Sequence, residues 1–241
     1  MEKPIFEIKN NNKIIFVIFG GILQALGMEI PPFEFVNSLK EKKLDVIFIR
    51  DFKQAWYSFG VEGLGRNIEE TSNNLCNKIS KYNHIITMGN SMGGYAAILF
   101  AEMINANFSI AINPQTFIDK KNREVFRDNR WNDNISKIHE KIIESKYFDL
   151  KNIVSDSLDK KTRHMVFFGE NEELDKNHAI RFLNNENFKI FMVKNTNHDA
   201  AKHLKNEGIL DKILNSINTE EANFEDIISK LDNEKNLRKY N

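Results

Sequence analysis

Gly89-Asn90-Ser91-Met92-Gly93-Gly94 carries the pattern G-x-S-x-G in a setting suited to nucleophilic chemistry. It follows the apolar run His84-Ile85-Ile86-Thr87-Met88 and leads into Tyr95–Ala101, rich in small and helix-forming residues, so the stretch reads as strand, sharp turn and helix. In such a nucleophile elbow the serine takes a strained backbone conformation. The positions two before and two after it must lack side chains, because strand and helix nearly collide there. Gly89 and Gly93 occupy those positions. Ser91 is expected to project beyond the strand end, with the Met92 N–H, at the start of the helix, donating to an oxyanion.

A serine hydroxyl is a poor nucleophile at neutral pH. It needs a histidine within hydrogen-bond reach, oriented in turn by a carboxylate. Of the six histidines, His198 occupies the loop Asn195-Thr196-Asn197-His198 after the last apolar run. His84 and His164 begin strands at the opposite end, His139 lies in an insertion, His178 sits in a helix, and His203 is a rival one turn beyond His198. The carboxylate is expected from Gly169–Asp175. Position there allows Glu172 or Asp175, with Glu170 and Glu173 behind them, and Asp175 also suits a helix N-cap.

These residues need a scaffold that brings them to one rim. Ile5–Lys9 alternates apolar and polar residues, Asn10-Asn11-Asn12 is turn chemistry, and Lys13–Phe19 is nearly all apolar, so a hairpin leading into a buried strand is expected. Gly20-Gly21 ends that strand, where the N–H of Gly21 or Ile22 would be the second oxyanion donor. Pro31-Pro32 opens a helix to about Lys42, followed by a strand over Leu44–Ile49. Beyond it, Arg50, Trp56 and Tyr57 are placed near the site mouth, the aromatic pair as pocket lining and Arg50-Asp51 as an ion pair or a substrate clamp. Helical spacing within Val61–Tyr82 gives a crossover to the elbow strand. Further strands are expected at Phe108–Ile112, ending in Asn113-Pro114-Gln115, at His164–Phe168 and at Phe188–Val193. Residues 119–160 break the alternation and read as a small helical lid, with helical patterns at Ile135–Ser145 and Leu150–Leu158. Helices over Leu204–Ile217 and Phe224–Leu231 precede a polar tail, about 232–241, expected to fray.

The 241 residues suit one α/β domain, 1–241, and 34 basic residues balance 34 acidic ones, so no net field draws nucleic acid or a membrane surface. The single cysteine, Cys76, forms no internal disulfide and is expected to be a small buried apolar residue in a reducing compartment. No apolar stretch approaches the ~20 residues of a membrane span, and Met1–Ile5 shows no secretory apolar core, so a cytoplasmic protein is expected.

With Pro31-Pro32-Phe33-Glu34-Phe35, Arg50-Asp51 with Trp56-Tyr57, Gly89–Ala97, Asn113-Pro114-Gln115 and Asp175 with His178-Ala179 in view, the chain resembles the α/β-hydrolase superfamily. More narrowly it resembles small bacterial proteins associated with surface-polysaccharide or glycoconjugate genes. The resemblance implies an α/β-hydrolase fold, a mostly parallel doubly wound sheet flanked by helices. It also implies Ser91 as nucleophile, Asp175 as acid and His198 as base, with Gln115 beside the substrate. Phe19-Gly20-Gly21 stands where that superfamily usually has His-Gly. The expected activity is hydrolysis of a carboxylic ester, on a small molecule or a glycoconjugate, through an acyl-enzyme and without metal or organic cofactor. Two alternatives are acyl transfer to or from a sugar hydroxyl and a catalytically silent binding or assembly factor.

Overall fold

Ile14-Ile15-Phe16-Val17-Ile18-Phe19 has no polar alternation, so both of its faces need cover. The computed structural model describes residues 3–22, 33–154 and 162–240. In it this run is β2 (Ile14–Phe19), every residue buried. The other strands are β1 (Ile5–Ile8), β3 (Asp45–Ile49), β4 (His84–Asn90), β5 (Phe108–Ile112), β6 (Arg163–Gly169), β7 (Phe188–Val193) and β8 (Leu237–Tyr240). They form one sheet in the order β1-β3-β2-β4-β5-β6-β7-β8, parallel from β3 to β7 and antiparallel at both edges.

Along β2 the side chains divide by the period of two. Ile15, Val17 and Phe19 enter one core and Ile14, Phe16 and Ile18 the other. The first core is covered by α2 (Ile68–Ile79) and α3 (Met92–Ile104), the second by α1 (Val36–Lys40), α7 (Ala200–Asn206), α8 (Ile209–Ile217) and α9 (Phe224–Asp232). Helix α3 is buried nearly all round, as its apolar sequence requires. Each fully buried ring such as Phe19, Phe100 or Phe168 contributes about 2–3 kcal/mol of transfer free energy.

The insertion carries α4 (Lys120–Val125) and α5 (Asn132–Lys141), then single 3₁₀ turns at Lys146–Phe148 and Leu150–Asn152. Ile135 and Ile138 of α5 join the first core, and the Tyr95 hydroxyl of α3 donates to the Tyr147 carbonyl at 2.5 Å. Helix α6 (Glu173–Ala179) follows β6, and Arg181 just beyond it grips Asp149 of the insertion by both carboxylate oxygens, at 2.9 and 2.6 Å.

Four expectations need correction. The first two strands form no hairpin: β1 pairs antiparallel with β3, and the Asn10 and Asn12 N–H groups donate to Asp45, so the asparagine turn is tied to a different neighbour. The polar tail does not fray over its whole length, because Leu237–Tyr240 adds to the open edge of β7, where backbone pairing needs no apolar side chains. Cys76 is exposed, on the outer face of α2. Helix α1 is short, opening at Phe35 in a left-handed conformation (φ 59°). Its expected start at Pro31-Pro32, and residues 155–161 of the expected lid, lie outside the described residues.

Candidate active site

The elbow is built by backbone collision. A Cβ on Gly89 would stand 2.1 Å from the Gly93 carbonyl oxygen, and one on Gly93 would stand 2.2 Å from that of Phe19, so neither position admits a side chain. Between them Ser91 takes φ 56° and ψ −120°, a strained conformation for a residue with a side chain. Its N–H donates to the Ile112 carbonyl at 2.9 Å, which pins the turn to β5. Met92 opens α3, so its N–H belongs to the first turn, where no intrahelical acceptor exists.

Ser91 Oγ lies 3.1 Å from His198 Nε2, and His198 Nδ1 lies 2.6 Å from Asp175 Oδ2. Asp175 is fully buried, so the Nδ1 proton sits against a carboxylate and Nε2 is left as acceptor for the serine hydroxyl. The acid comes from the first turn of α6 and the histidine from the loop between β7 and α7. Gly169, at the end of β6, lets that loop pass: a Cβ there would meet the Asn197 carbonyl oxygen at 2.0 Å. The His198 side chain is 34% exposed against 5% for Ser91, so the open approach lies on the imidazole side.

No family model matches the sequence, and no curated protein does either. Solved structures do match in shape. The capsule O-acetyltransferase of Neisseria meningitidis serogroup A aligns over 88% of this chain and 90% of its own, with TM-score 0.66 and 14% identity. The fluorophosphonate-binding serine hydrolase F of Staphylococcus aureus aligns over 86% and 84%, with TM-score 0.58 and 14% identity. An α/β hydrolase from a sediment metagenome of the Mar Chica lagoon in Morocco aligns over 89% and 96%, with TM-score 0.53 and 16% identity. This chain has the α/β-hydrolase fold.

In the α/β-hydrolase fold the order serine, acid, histidine follows the strands, and Ser91, Asp175 and His198 keep that order beyond β4, β6 and β7. The structure brings these three together. Glu172 instead stands at the N-cap of α6 without capping it through its side chain. Asn113, fully buried at φ 45°, donates from Nδ2 to the His198 carbonyl at 2.7 Å, so the loop after β5 holds the histidine loop in place.

The expected pocket residues fall elsewhere. Trp56 and Tyr57 are fully buried, and Gln115 is 2% exposed, so none of them presents an open wall. The Tyr57 hydroxyl donates to the Gly20 carbonyl at 2.9 Å and so braces the glycine loop from below. Arg50 and Asp51 form no ion pair. The Arg50 guanidinium lies 4.0 Å over the Phe33 ring and donates to the Lys3 carbonyl. The Asp51 carboxylate instead accepts the N–H groups of Lys53, Ala55 and Tyr57, folding its own loop.

Gly21, expected as an oxyanion donor, gives its N–H to Glu34 Oε1 at 3.0 Å. Ile22 follows it, half-buried. Desolvation pushes the Glu34 carboxyl up to about 7, against the lowering pull of the Gly21 N–H and of nearby His198. The sequence reading assigned no role to Glu34, nor to Arg130, whose guanidinium donates to the second oxygen of Asp175 at 2.7 Å. Asp128-Asn129-Arg130 reads in sequence like any solvated charged loop, and only the approach of the insertion to α6 distinguishes it. Among the described residues no group of three or more His, Cys, Asp or Glu side chains is arranged to hold a metal ion.

Proposed function

We propose that Ser91, His198 and Asp175 form the catalytic triad of an enzyme that breaks carboxylic esters. The observation that carries this reading is the continuous hydrogen-bonded line from Ser91 Oγ through the imidazole to a buried carboxylate, at 3.1 and 2.6 Å. Ser91 Oγ attacks the ester carbonyl as its proton passes to His198 Nε2, and Asp175 stabilises the imidazolium that forms. The Met92 N–H donates to the oxyanion, with the N-terminal end of α3 adding positive potential. The second donor is the N–H of Gly21 or Ile22. Using Gly21 requires the Glu34 carboxyl to turn away, since one N–H cannot serve both. The imidazolium then returns its proton to the leaving alcohol, and the acyl group stays on Ser91.

Either water or another hydroxyl can release that acyl group. The fold likeness to a capsule O-acetyltransferase favours a second reading in which a glycan hydroxyl is the acceptor. The substrate class is then a small-molecule or glycoconjugate ester. A fluorophosphonate probe should label the wild-type protein and fail to label Ser91→Ala, while Cys76→Ala labels normally. No labelling of the wild type would instead favour a silent binding or assembly role. Product analysis of a p-nitrophenyl acetate reaction with and without an added sugar alcohol separates hydrolysis from transfer.

A further inference from the structure

The ester-cleavage reading leaves a set of buried charges behind Asp175 without a task. Arg130 Nη1 donates to Asp175 Oδ1 at 2.7 Å, and the same guanidinium grips Asp128, Nε on Oδ1 at 3.0 Å and Nη2 on Oδ2 at 2.8 Å. His178 Nε2 reaches Asp128 Oδ2 at 2.9 Å, and His178 Nδ1 faces the Thr116 backbone N–H at 3.0 Å. A backbone N–H can only donate, so Nδ1 is unprotonated, Nε2 carries the proton and the ring is neutral. Burial pushes the His178 pKa down, in keeping with that neutral form, and outweighs the upward pull of Asp128. Burial alone would raise the Asp128 carboxyl, but hydrogen bonds from His178 and Arg130 outweigh it and hold the group well below the usual carboxylate range.

Two ionised carboxylates therefore share one guanidinium, beside a neutral imidazole. We infer that Arg130 is a positioning residue for the Ser91 chemistry: from the insertion it holds Asp175 in the rotamer that faces His198, while Asp128 cancels its charge. The inference rests on the ester-cleavage reading above. With Oδ1 taken by Arg130, only Oδ2 is left for the imidazole, so the carboxylate cannot rotate away without breaking a charged hydrogen bond. A guanidinium alone would oppose the positive charge that His198 gains during reaction. Asp128, chelated on its far side, removes that opposition. The other charged groups around the histidine are Glu34 on the Gly21 N–H, Glu170 on the Asn195 N–H and Asp199 on the Asn197 N–H. None of these is altered in the test.

A clamp that only ties the insertion to α6 predicts lost stability with no change in how His198 titrates. A positioning clamp predicts shifts that depend on the charge removed. The test follows the His198 imidazole by NMR in the full-length protein labelled at histidine, together with the rate of fluorophosphonate labelling. In Asp128→Asn the guanidinium is uncompensated, and the His198 titration midpoint should fall by on the order of half to one pH unit. In the double variant Asp128→Asn, Arg130→Gln both charges are gone, and the midpoint should return to the wild-type value. Arg130→Lys keeps the charge but loses the fork, so the midpoint should stay while the labelling rate at high pH falls roughly tenfold. A midpoint that Asp128→Asn leaves unmoved or raises overturns the inference, as does a double variant that fails to return it. Should Asp128→Asn not fold, an undiminished labelling rate in Arg130→Lys overturns it equally. If the wild type is not labelled at Ser91, the ester reading fails, and the imidazole titrations still decide the clamp.

Discussion

In the elbow, Gly89, Ser91 and Gly93 stand within five residues of one another and are shaped by backbone collision. In the insertion, Arg130 meets Asp175 across 45 residues of chain and is shaped by charge. Both regions pack on the same face of the sheet, and both reach the Ser91–His198 pair. The elbow would form wherever its strand and helix are buried, since the contacts that demand glycine lie inside the motif and on the neighbouring strand. The insertion acquires its relation to the site only when Tyr147, Asp149 and Ile138 are docked against α3, Arg181 and the core. Local geometry can thus prepare a nucleophile, whereas the orientation of its acid depends on distant packing.

The largest effect should come from the elbow. Ser91→Ala should cost roughly 10⁴-fold or more in turnover, while Ser91→Gly, equally inactive, should melt higher by about 1 kcal/mol because glycine relieves the strained φ of 56°. Equal melting temperatures for the two variants would deny that the turn stores strain. Gly93→Ala comes next. Its Cβ would press on the backbone oxygen of Phe19 at 2.2 Å, and a loss of about 3 kcal/mol by urea titration is expected. On the other side of the comparison, Arg181→Ala opens the fork on Asp149 and should cost about 2 kcal/mol. It should also expose the segment Lys120–Asn152 to limited proteolysis, and protection equal to wild type would mean that the insertion is held mainly by its apolar contacts.

The smallest effect is a slope. Glu34 titrates near 7 in the folded protein against an ordinary 4.5, so the folded state holds a proton that the unfolded chain has already lost. The stability associated with this group is full below pH 4.5 and is lost as the pH rises towards 7. Glu34→Gln should flatten the pH dependence of the melting temperature across that window. An unchanged slope would remove Glu34 from the desolvated setting described here.

Much of the scaffold was legible because burial imposes periodicity. The continuous apolar runs at Ile14–Phe19 and Phe108–Ile112 admit little besides a covered strand, and α8 shows its apolar stripe at Ile209, Leu210, Ile213, Leu214 and Ile217. The edges were not legible in the same way. Pairing of β1 with β3 and the addition of β8 to β7 are made by backbone groups, which every residue type carries. Trp56 and Tyr57 were misplaced for a related reason: aromatic residues in a loop serve a pocket wall or a buried brace equally well. The Tyr57 hydroxyl on the Gly20 carbonyl decides for the brace.

Sequence alone determined that a serine would stand on a tight strand-to-helix turn, since two glycines at fixed spacing between an apolar run and a small-residue helix satisfy the steric demand of that geometry and few others. It also set the order of serine, acid and histidine along the chain. Tertiary structure alone decided which carboxylate faces the imidazole, which N–H is already taken by Glu34, and that Arg130 stands behind Asp175. Steric exclusion acts between near neighbours and is written in local residue types. Charge pairing acts through space, and a Glu or an Arg looks the same in sequence whether water or another charge will meet it.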